Sequence, residues 1–295
     1  MMQQWAARVL LALLWALHGL PLAWQAALGC GLGRMLHALA GSRRRVALRN
    51  VQLCLPELGT AGSQALVRQH FQWLGRSLLE RGLLWHATPE RLKQLIHIEG
   101  DVGLAERSDR PVMWLVPHFV ALDVAGASTQ LFQSKMVASI YQAQSNPVFD
   151  AAMRNGRLRF KQGEVFARSE RALPLVRAVR RGWAFFNLPD MDFGTRDAAF
   201  VPFFGVPAAT LLAPARMARA LGMIVQPVVA EVLPGGQGYR VRFLPAWDDF
   251  PGLDDELAAL RMNRWIEEEI RRNPAQYLWV HRRFKTRPEG EASLY

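Results

Sequence analysis

Cysteine is nearly absent from this chain of 295 residues: only Cys30 and Cys54 occur, with no C-x-x-C and no metal-ligand spacing around them. That argues against a disulfide scaffold or a zinc site and leaves free thiols as the reading, with no metal and no cofactor called for. Acidic residues are the scarcer charge, 25 against 36 basic, for a net charge of +11. The excess fits a polyanionic partner, but does not choose among nucleic acid, an anionic membrane and an acidic protein. Lysine is also rare: only Lys93, Lys135, Lys161 and Lys285 occur, and arginine supplies the remaining positive charge. Arginine suits a bidentate grip on phosphate or carboxylate, although a GC-rich genome favours the same residue. An RNP aromatic pair and zinc-finger spacing are both missing, so no nucleic-acid partner is expected. There is no G-x-S-x-G, internal repeat or low-complexity linker, which argues against a serine-hydrolase elbow and against two comparable domains.

One long uncharged run is present. From Val9 to Gly33 no side chain is formally charged, and His18 is the only titratable group. A single helix of that length, at ~1.5 Å per residue, would cross a hydrocarbon layer of ~30 Å. The Gly19-Leu20-Pro21 interruption weakens the spanning reading, and two shorter amphipathic segments lying in the interface are its rival. The leader MMQQWAAR and the lack of a clear small-x-small exit fit a cleaved signal peptide poorly. Arg34, Arg43, Arg44, Arg45 and Arg49 follow the run while only Arg8 precedes it. That asymmetry places the rest of the chain on the cytoplasmic side of a membrane. We therefore divide the chain into a membrane anchor, residues 1–40, and one catalytic domain, residues 41–295.

Residues 43–95 carry apolar positions at helical spacing. Beyond Thr88-Pro89-Glu90, a helix start, strand-like runs appear at IHIEG, PVMWLVP, KMVASIY, WAFFNLP, MIVQPVVAEV and YRVRFLP, separated by helical or Gly/Pro-rich stretches. Short apolar runs alternating with helices predict an α/β fold, a mixed sheet with several parallel pairs flanked by helices. LDDELAALRMNRWIEEEIRRNP reads as an amphipathic helix ended by Asn273-Pro274, followed by a short apolar piece, QYLWV.

PVMWLVP runs into His118-Phe-Val-Ala-Leu-Asp123 and a small-residue helix. A histidine at the carboxyl end of a strand sits where α/β sheets place reactive groups. The H-x-x-x-x-D spacing alone is weak, and a histidine merely closing a strand end is the plain alternative. Chemically the pair makes sense: a hydroxyl nucleophile needs a base to take its proton as it attacks, and His118 is that candidate. Asp123 would fix the imidazole tautomer and stabilise the imidazolium.

Five collinear segments carry a resemblance: RRVALRNVQLCLPE, H-x-x-x-x-D, YQAQSNPVFDAAMRNGRLRF at 141–160, NLPDMDFGTRDAAFVPFFGVPAAT at 187–210 and WVHRRFKTRPEGEASLY. Together they resemble the bacterial lipid A biosynthesis acyltransferases, the lauroyl and myristoyl transferases, over nearly the whole chain. The resemblance implies a glycerol-3-phosphate-acyltransferase-like fold and a place on the cytoplasmic face of the inner membrane. It also implies transfer of an acyl chain from acyl carrier protein to a hydroxyl of a lipid A precursor, without a metal. His118 and Asp123 match the family's catalytic motif, where many members have glutamate second. Met191 stands where the family usually shows glutamine, which puts any role of that amide in doubt.

Arg157 and Arg159 would share a side if extended and could grip a phosphate of substrate or carrier; a solvated basic face is the alternative. Asp190 and Asp192 sit after an apolar strand at a probable sheet edge. Substrate binding and a turn-forming role stay equally open for both. VPFFGVPAAT reads as an acyl-chain wall, a membrane-dipping loop or ordinary core. Two rival functions remain at this point: a lysophospholipid or ornithine-lipid acyltransferase with the same chemistry, and a membrane-tethered binding protein resting on charge alone.

Overall fold

The computed structural model describes residues 2–160, 163–168 and 172–295. The chain between Arg154 and Arg181 carries nine basic residues against two acidic ones; two of the basic ones, Lys161 and Arg171, lie outside the described residues. The chain opens with helices α1 (Met2–Leu17), α2 (Leu22–Leu39), α3 (Gly41–Cys54), α4 (Gly59–Leu79), α5 (Arg81–His86) and α6 (Pro89–Leu95). Then come β1 (Ile96–Gly100), α7 (Leu104–Arg107), β2 (Val112–Leu115), α8 (Leu122–Leu131), β3 (Val137–Tyr141), α9 (Pro147–Arg157), β4 (Gly163–Ala167), α10 (Leu173–Arg180) and β5 (Ala184–Asn187). The hairpin β6 (Ala198–Phe203) and β7 (Val206–Leu211) precedes α11 (Ala213–Ala220), β8 (Ile224–Val232), β9 (Tyr239–Phe243) and α12 (Asp255–Arg272).

Seven strands form one sheet in the order β1-β9-β8-β2-β5-β3-β4, and only the β8–β9 pair is antiparallel. The expected mixed α/β sheet flanked by helices is therefore present. β2 lies at its centre with all four residues buried, which is why it reads as an unbroken apolar run. Successive side chains point to opposite faces. Met113 and Leu115 join a core with Val51 of α3, Phe71 of α4 and Ile266 of α12, whereas Val112 and Trp114 join another with Leu83 of α5 and Val124 of α8. Polar caps set several helix starts: Asn146 accepts from the N–H groups of Val148 and Phe149, and Asp254 from those of Glu256 and Leu257.

The uncharged run does not form one long helix. Pro21, which cannot donate a backbone hydrogen bond, caps the start of α2, and the run divides at Gly19-Leu20-Pro21. Among the described residues no helix is long and apolar enough to cross a membrane. Both leader helices pack on the body of the protein. α2 crosses α4 at backbone contact distance: a Cβ on Gly33 would lie 2.1 Å from the Phe71 carbonyl oxygen, and one on Gly75 would lie 2.3 Å from that of Gly29. Only glycine fits such a crossing. The link between α1 and α2 is tied down by Arg91, whose guanidinium donates to the carbonyls of His18 and Leu20 at 2.8 and 2.6 Å.

Two pieces of the chain differ from their sequence reading. β4 is a short sheet-edge strand, and VPFFGVP forms the β6–β7 hairpin, turning at Phe204 and Gly205 with positive φ at both. Phe203 is fully buried against Tyr277 and Phe284, so core packing describes that residue. The QYLWV piece is not a strand of the sheet; Tyr277 makes an isolated antiparallel bridge with Phe119.

Candidate active site

β2 and β5 are parallel neighbours, so their carboxyl ends open on the same sheet edge. His118 follows β2 by three residues and Asp190 follows β5 by three. There they meet. The His118 backbone N–H donates to Asp190 Oδ2 at 2.9 Å, and His118 Nδ1 lies 2.6 Å from Asp190 Oδ1. An ionised carboxylate only accepts, so this contact puts the ring proton on Nδ1 and leaves Nε2 with its lone pair. Nε2 has no hydrogen-bond partner among the described residues, and the His118 side chain is 14% exposed. Asp190 is buried. Burial pushes its carboxyl up, but the charge of His118, its two hydrogen bonds and then Arg283 outweigh this, leaving the carboxyl below its ordinary range. Burial, followed by the charge of the Asp190 carboxylate, raises the Tyr277 phenol well above its usual value.

The partner expected for His118 was Asp123, and the structure gives Asp123 other company. Arg157 donates to Asp123 Oδ1 through Nε at 3.0 Å and Nη2 at 2.9 Å, and Arg81 donates to Oδ2 through Nε at 3.1 Å. Burial opposes ionisation, but the two guanidiniums prevail and hold the carboxyl down at about 2. The physical reason is helical geometry: Asp123 lies in the first turn of α8, where its oxygens meet Arg81 of α5 and Arg157 at the end of α9.

Arg157 and Arg159 do not stand in an extended segment, because Arg157 ends a helix. Arg159 donates to the carbonyls of Leu84 and Ala87 at 2.8 and 2.5 Å, closing the free end of α5. Asp192 is buried and also occupied locally. It accepts from the N–H groups of Gly194 and Thr286 and from the Thr286 hydroxyl, tying the loop after β5 to the C-terminal segment. That is the turn-forming reading for Asp192.

Sequence reasoning missed the C-terminal frame of the site. Leu278 N–H donates to the His118 carbonyl at 2.9 Å, and Val120 N–H donates to that of Gln276 at 2.8 Å. Asn50 of α3 donates to the carbonyls of Trp279 and His281 at 2.7 and 2.6 Å. His281 accepts the Asp192 N–H on Nε2 at 3.1 Å, and burial, with the charge of His118 next, pushes its pKa down to about 4. His118, Met191, Tyr277 and His281 share the wall of a small recess with room for about one water. The only sequence signal for this frame was the WVHRRF segment. Among the described residues no group of three or more His, Cys, Asp or Glu side chains stands close enough to hold a metal ion.

A larger pocket, about 700 Å³ with its open mouth, borders Asp123 and Arg157. Its wall is mostly apolar, with Trp85, Val137, Phe160 and Phe186 among the side chains. His118 does not line it. Leu188, two residues before Asp190, and Leu122, beside Asp123, connect its rim to the histidine's sheet edge. A base with a fixed tautomer on the same sheet edge as an apolar pocket can activate a hydroxyl toward a reagent with a hydrocarbon chain.

A family model described as "Bacterial lipid A biosynthesis acyltransferase" matches residues 1–286. The chain is 32% identical over 288 residues to the lipid A biosynthesis palmitoleoyltransferase of Escherichia coli (strain K12), covering 97% of this chain and 92% of that protein. It is 31% identical over 295 residues to the lipid A biosynthesis lauroyltransferase of the same organism, covering 99% and 95%. The myristoyltransferase there is 33% identical over 273 residues, covering 90% and 82%. A more distant likeness is the crystal structure of 1-acyl-sn-glycerophosphate acyltransferase from Thermotoga maritima, with a TM-score of 0.36, 14% identity, and 78% and 94% coverage.

Proposed function

The chain belongs to the bacterial lipid A biosynthesis acyltransferase family and is an acyltransferase, and on that premise we propose that it moves a fatty acyl group from acyl carrier protein onto a hydroxyl of a lipid A precursor, with His118 as general base. The observation that carries this reading is the 2.6 Å contact of His118 Nδ1 with Asp190 at the sheet edge. It leaves Nε2 to take the hydroxyl proton as the oxygen attacks the thioester carbonyl. The new C–O bond forms, the C–S bond breaks, and the imidazolium proton follows the departing sulfur. A thiol has a reference pKa near 8.5 and leaves with little acid assistance. Asp190 stabilises the imidazolium in between, the part assigned from sequence to Asp123. No cofactor enters these steps.

Asp123 and Arg157 form the polar rim of the apolar pocket, which takes the hydrocarbon chain. With Nε and Nη2 of Arg157 engaged, Nη1 remains without a hydrogen bond to a described residue and is the donor for a substrate or carrier phosphate. The glycerol-3-phosphate-acyltransferase-like character of the fold belongs to the same reading. So does a place on the cytoplasmic face of the inner membrane, supported by Trp5, Val9, Leu13 and Trp15 of α1 and Trp24 and Leu39 of α2, all exposed apolar side chains. Helices with such a surface lie in the interface plane, a form of attachment that needs no spanning segment.

The test is acyl transfer by the purified full chain from an acyl carrier protein thioester, in parallel with a coenzyme A thioester, to a lipid A precursor and to a lysophospholipid. Transfer to the lipid A precursor, abolished in His118→Ala, is expected. Transfer to the lysophospholipid alone would overturn the acceptor, and an active, folded His118→Ala protein would overturn the base.

A further inference from the structure

Between Met1 and Leu79 the only acidic residue is Glu57. Apart from Arg76, which pairs with Glu80 at 2.7 Å, the arginines of α2, α3 and α4 form no ion pair with a described residue. Where the C-terminal end of α2 meets α3 and α4, an open recess of about 580 Å³ is lined by His37, Arg44, Arg45, Leu48, Val67 and Arg68. Arg44 is committed to the fold, donating to the carbonyls of His37 and Ala38 at the end of α2. Arg45 and Arg68 are exposed and make no ion pair or side-chain hydrogen bond with a described residue. Partial burial, then the Arg44 and Arg68 guanidiniums, push the His37 pKa down, so the recess takes its charge from arginine.

We propose that this recess binds the phosphate of an anionic membrane phospholipid, with Arg45 and Arg68 as its donors. Two free guanidiniums facing one concavity match a phosphate, which accepts charge-assisted hydrogen bonds on several oxygens. Leu48 and Val67 give the recess an apolar floor that suits the glycerol end of a headgroup. Beside it, Met35 and Leu39 of α2 are 49% and 75% exposed. Apolar side chains of that size next to unpaired arginines are the composition that meets the boundary between acyl chains and headgroups. A recess holds one headgroup, whereas an acidic protein helix needs a flat charged face.

This rests on the membrane-surface reading above, not on the acyl-transfer chemistry. The experiment is co-flotation of the full chain with vesicles of phosphatidylcholine alone and of phosphatidylcholine with phosphatidylglycerol, near physiological salt. Two arginines at about 1 kcal/mol each near an anionic surface correspond to a ~30-fold weaker affinity for the mixed vesicles in R45A/R68A. Binding to neutral vesicles should not change. The control K93A/R264A removes the same charge from exposed residues outside the recess and should lose much less. Equal loss in both double variants, or undiminished binding by R45A/R68A, would overturn the recess while the membrane reading stands. A wild-type chain that floats with neither vesicle would overturn both. Tight binding of inorganic phosphate by vesicle-free protein, lost in R45A/R68A, would assign the recess to a soluble phosphate instead. Loss of binding to an acidic carrier protein, with vesicle binding intact, would assign it to a protein partner.

Discussion

His118 and Asp190 are 72 positions apart in the chain, yet one carboxylate holds the histidine twice, by its backbone N–H and by ring Nδ1. Both ends of the residue are fixed by a single side chain. Asp190→Asn keeps the shape but removes the charge, so the ring loses both its enforced tautomer and the stabilisation of its charged form. We expect kcat to fall by ~10²–10⁴-fold with KM changing far less. Steady-state kinetics of acyl transfer, with the fold checked by circular dichroism, decide this. A variant that loses KM and keeps kcat would return Asp190 to a purely structural part.

Asp123 and its arginines should behave as one unit. Arg157→Ala leaves part of a partly buried carboxylate unsatisfied, and Asp123→Asn leaves two guanidiniums without their anion. Each change should cost about 1–3 kcal/mol of stability. The double variant should lose less than the sum. Urea unfolding of all four proteins measures the coupling, and strict additivity would contradict the clamp.

The apolar pocket makes a prediction about chain length. A Cβ placed on Gly126 would have only Phe186 nearby, at 4.0 Å, so the pocket side of α8 has room for a larger residue. Gly126→Leu should fill that space. Activity on long acyl donors should drop by tenfold or more, with short donors affected less, since each lost methylene contact is worth about 0.8 kcal/mol. Competition between donors of different length, read by mass spectrometry of the product, reports the ratio. An unchanged ratio would place the hydrocarbon elsewhere.

Stability should fall in mild acid because of His70. It is fully buried, and burial pushes its pKa from the ordinary 6.5 down to about 4, against a hydrogen bond with the Ala275 carbonyl. Between those two values the unfolded chain binds a proton that the folded chain refuses. The native state therefore loses about 3 kcal/mol as pH falls from 6.5 to 4. His281, also held down at about 4, adds in the same direction. Asp123 contributes later, since its carboxyl is lowered from 3.8 to about 2 and its stabilisation disappears only below 3.8. His70→Gln should flatten the fall of Tm between pH 6.5 and 4, measured by thermal melts. A slope identical to that of the wild type would remove His70 from this account.

Much of the sheet was legible because buried parallel strands read as continuous apolar runs, as VMWL does. GEVFA was not, since a five-residue edge strand opening on Gly163 and Glu164 offers too little pattern. The β6–β7 hairpin hid because its turn is Phe204-Gly205 rather than an Asn-Gly or Asp-Gly pair. His118 could be found from its place after a strand. Its partner could not, because nearness in sequence suggested Asp123, whereas the alignment of β2 with β5 delivers Asp190. Tyr277 and His281 come from a segment whose contacts with His118 follow only from the folded chain.

That segment also sets a timetable. His118 leaves the ribosome long before residues 276–281, which hold its carbonyl and line its cavity. Translation proceeds at about 5–20 residues per second. For roughly 10–30 s the growing chain has the histidine without its frame, while the apolar leader helices have already been made. Under the membrane attachment proposed above, contact with the lipid surface precedes completion of the site around His118.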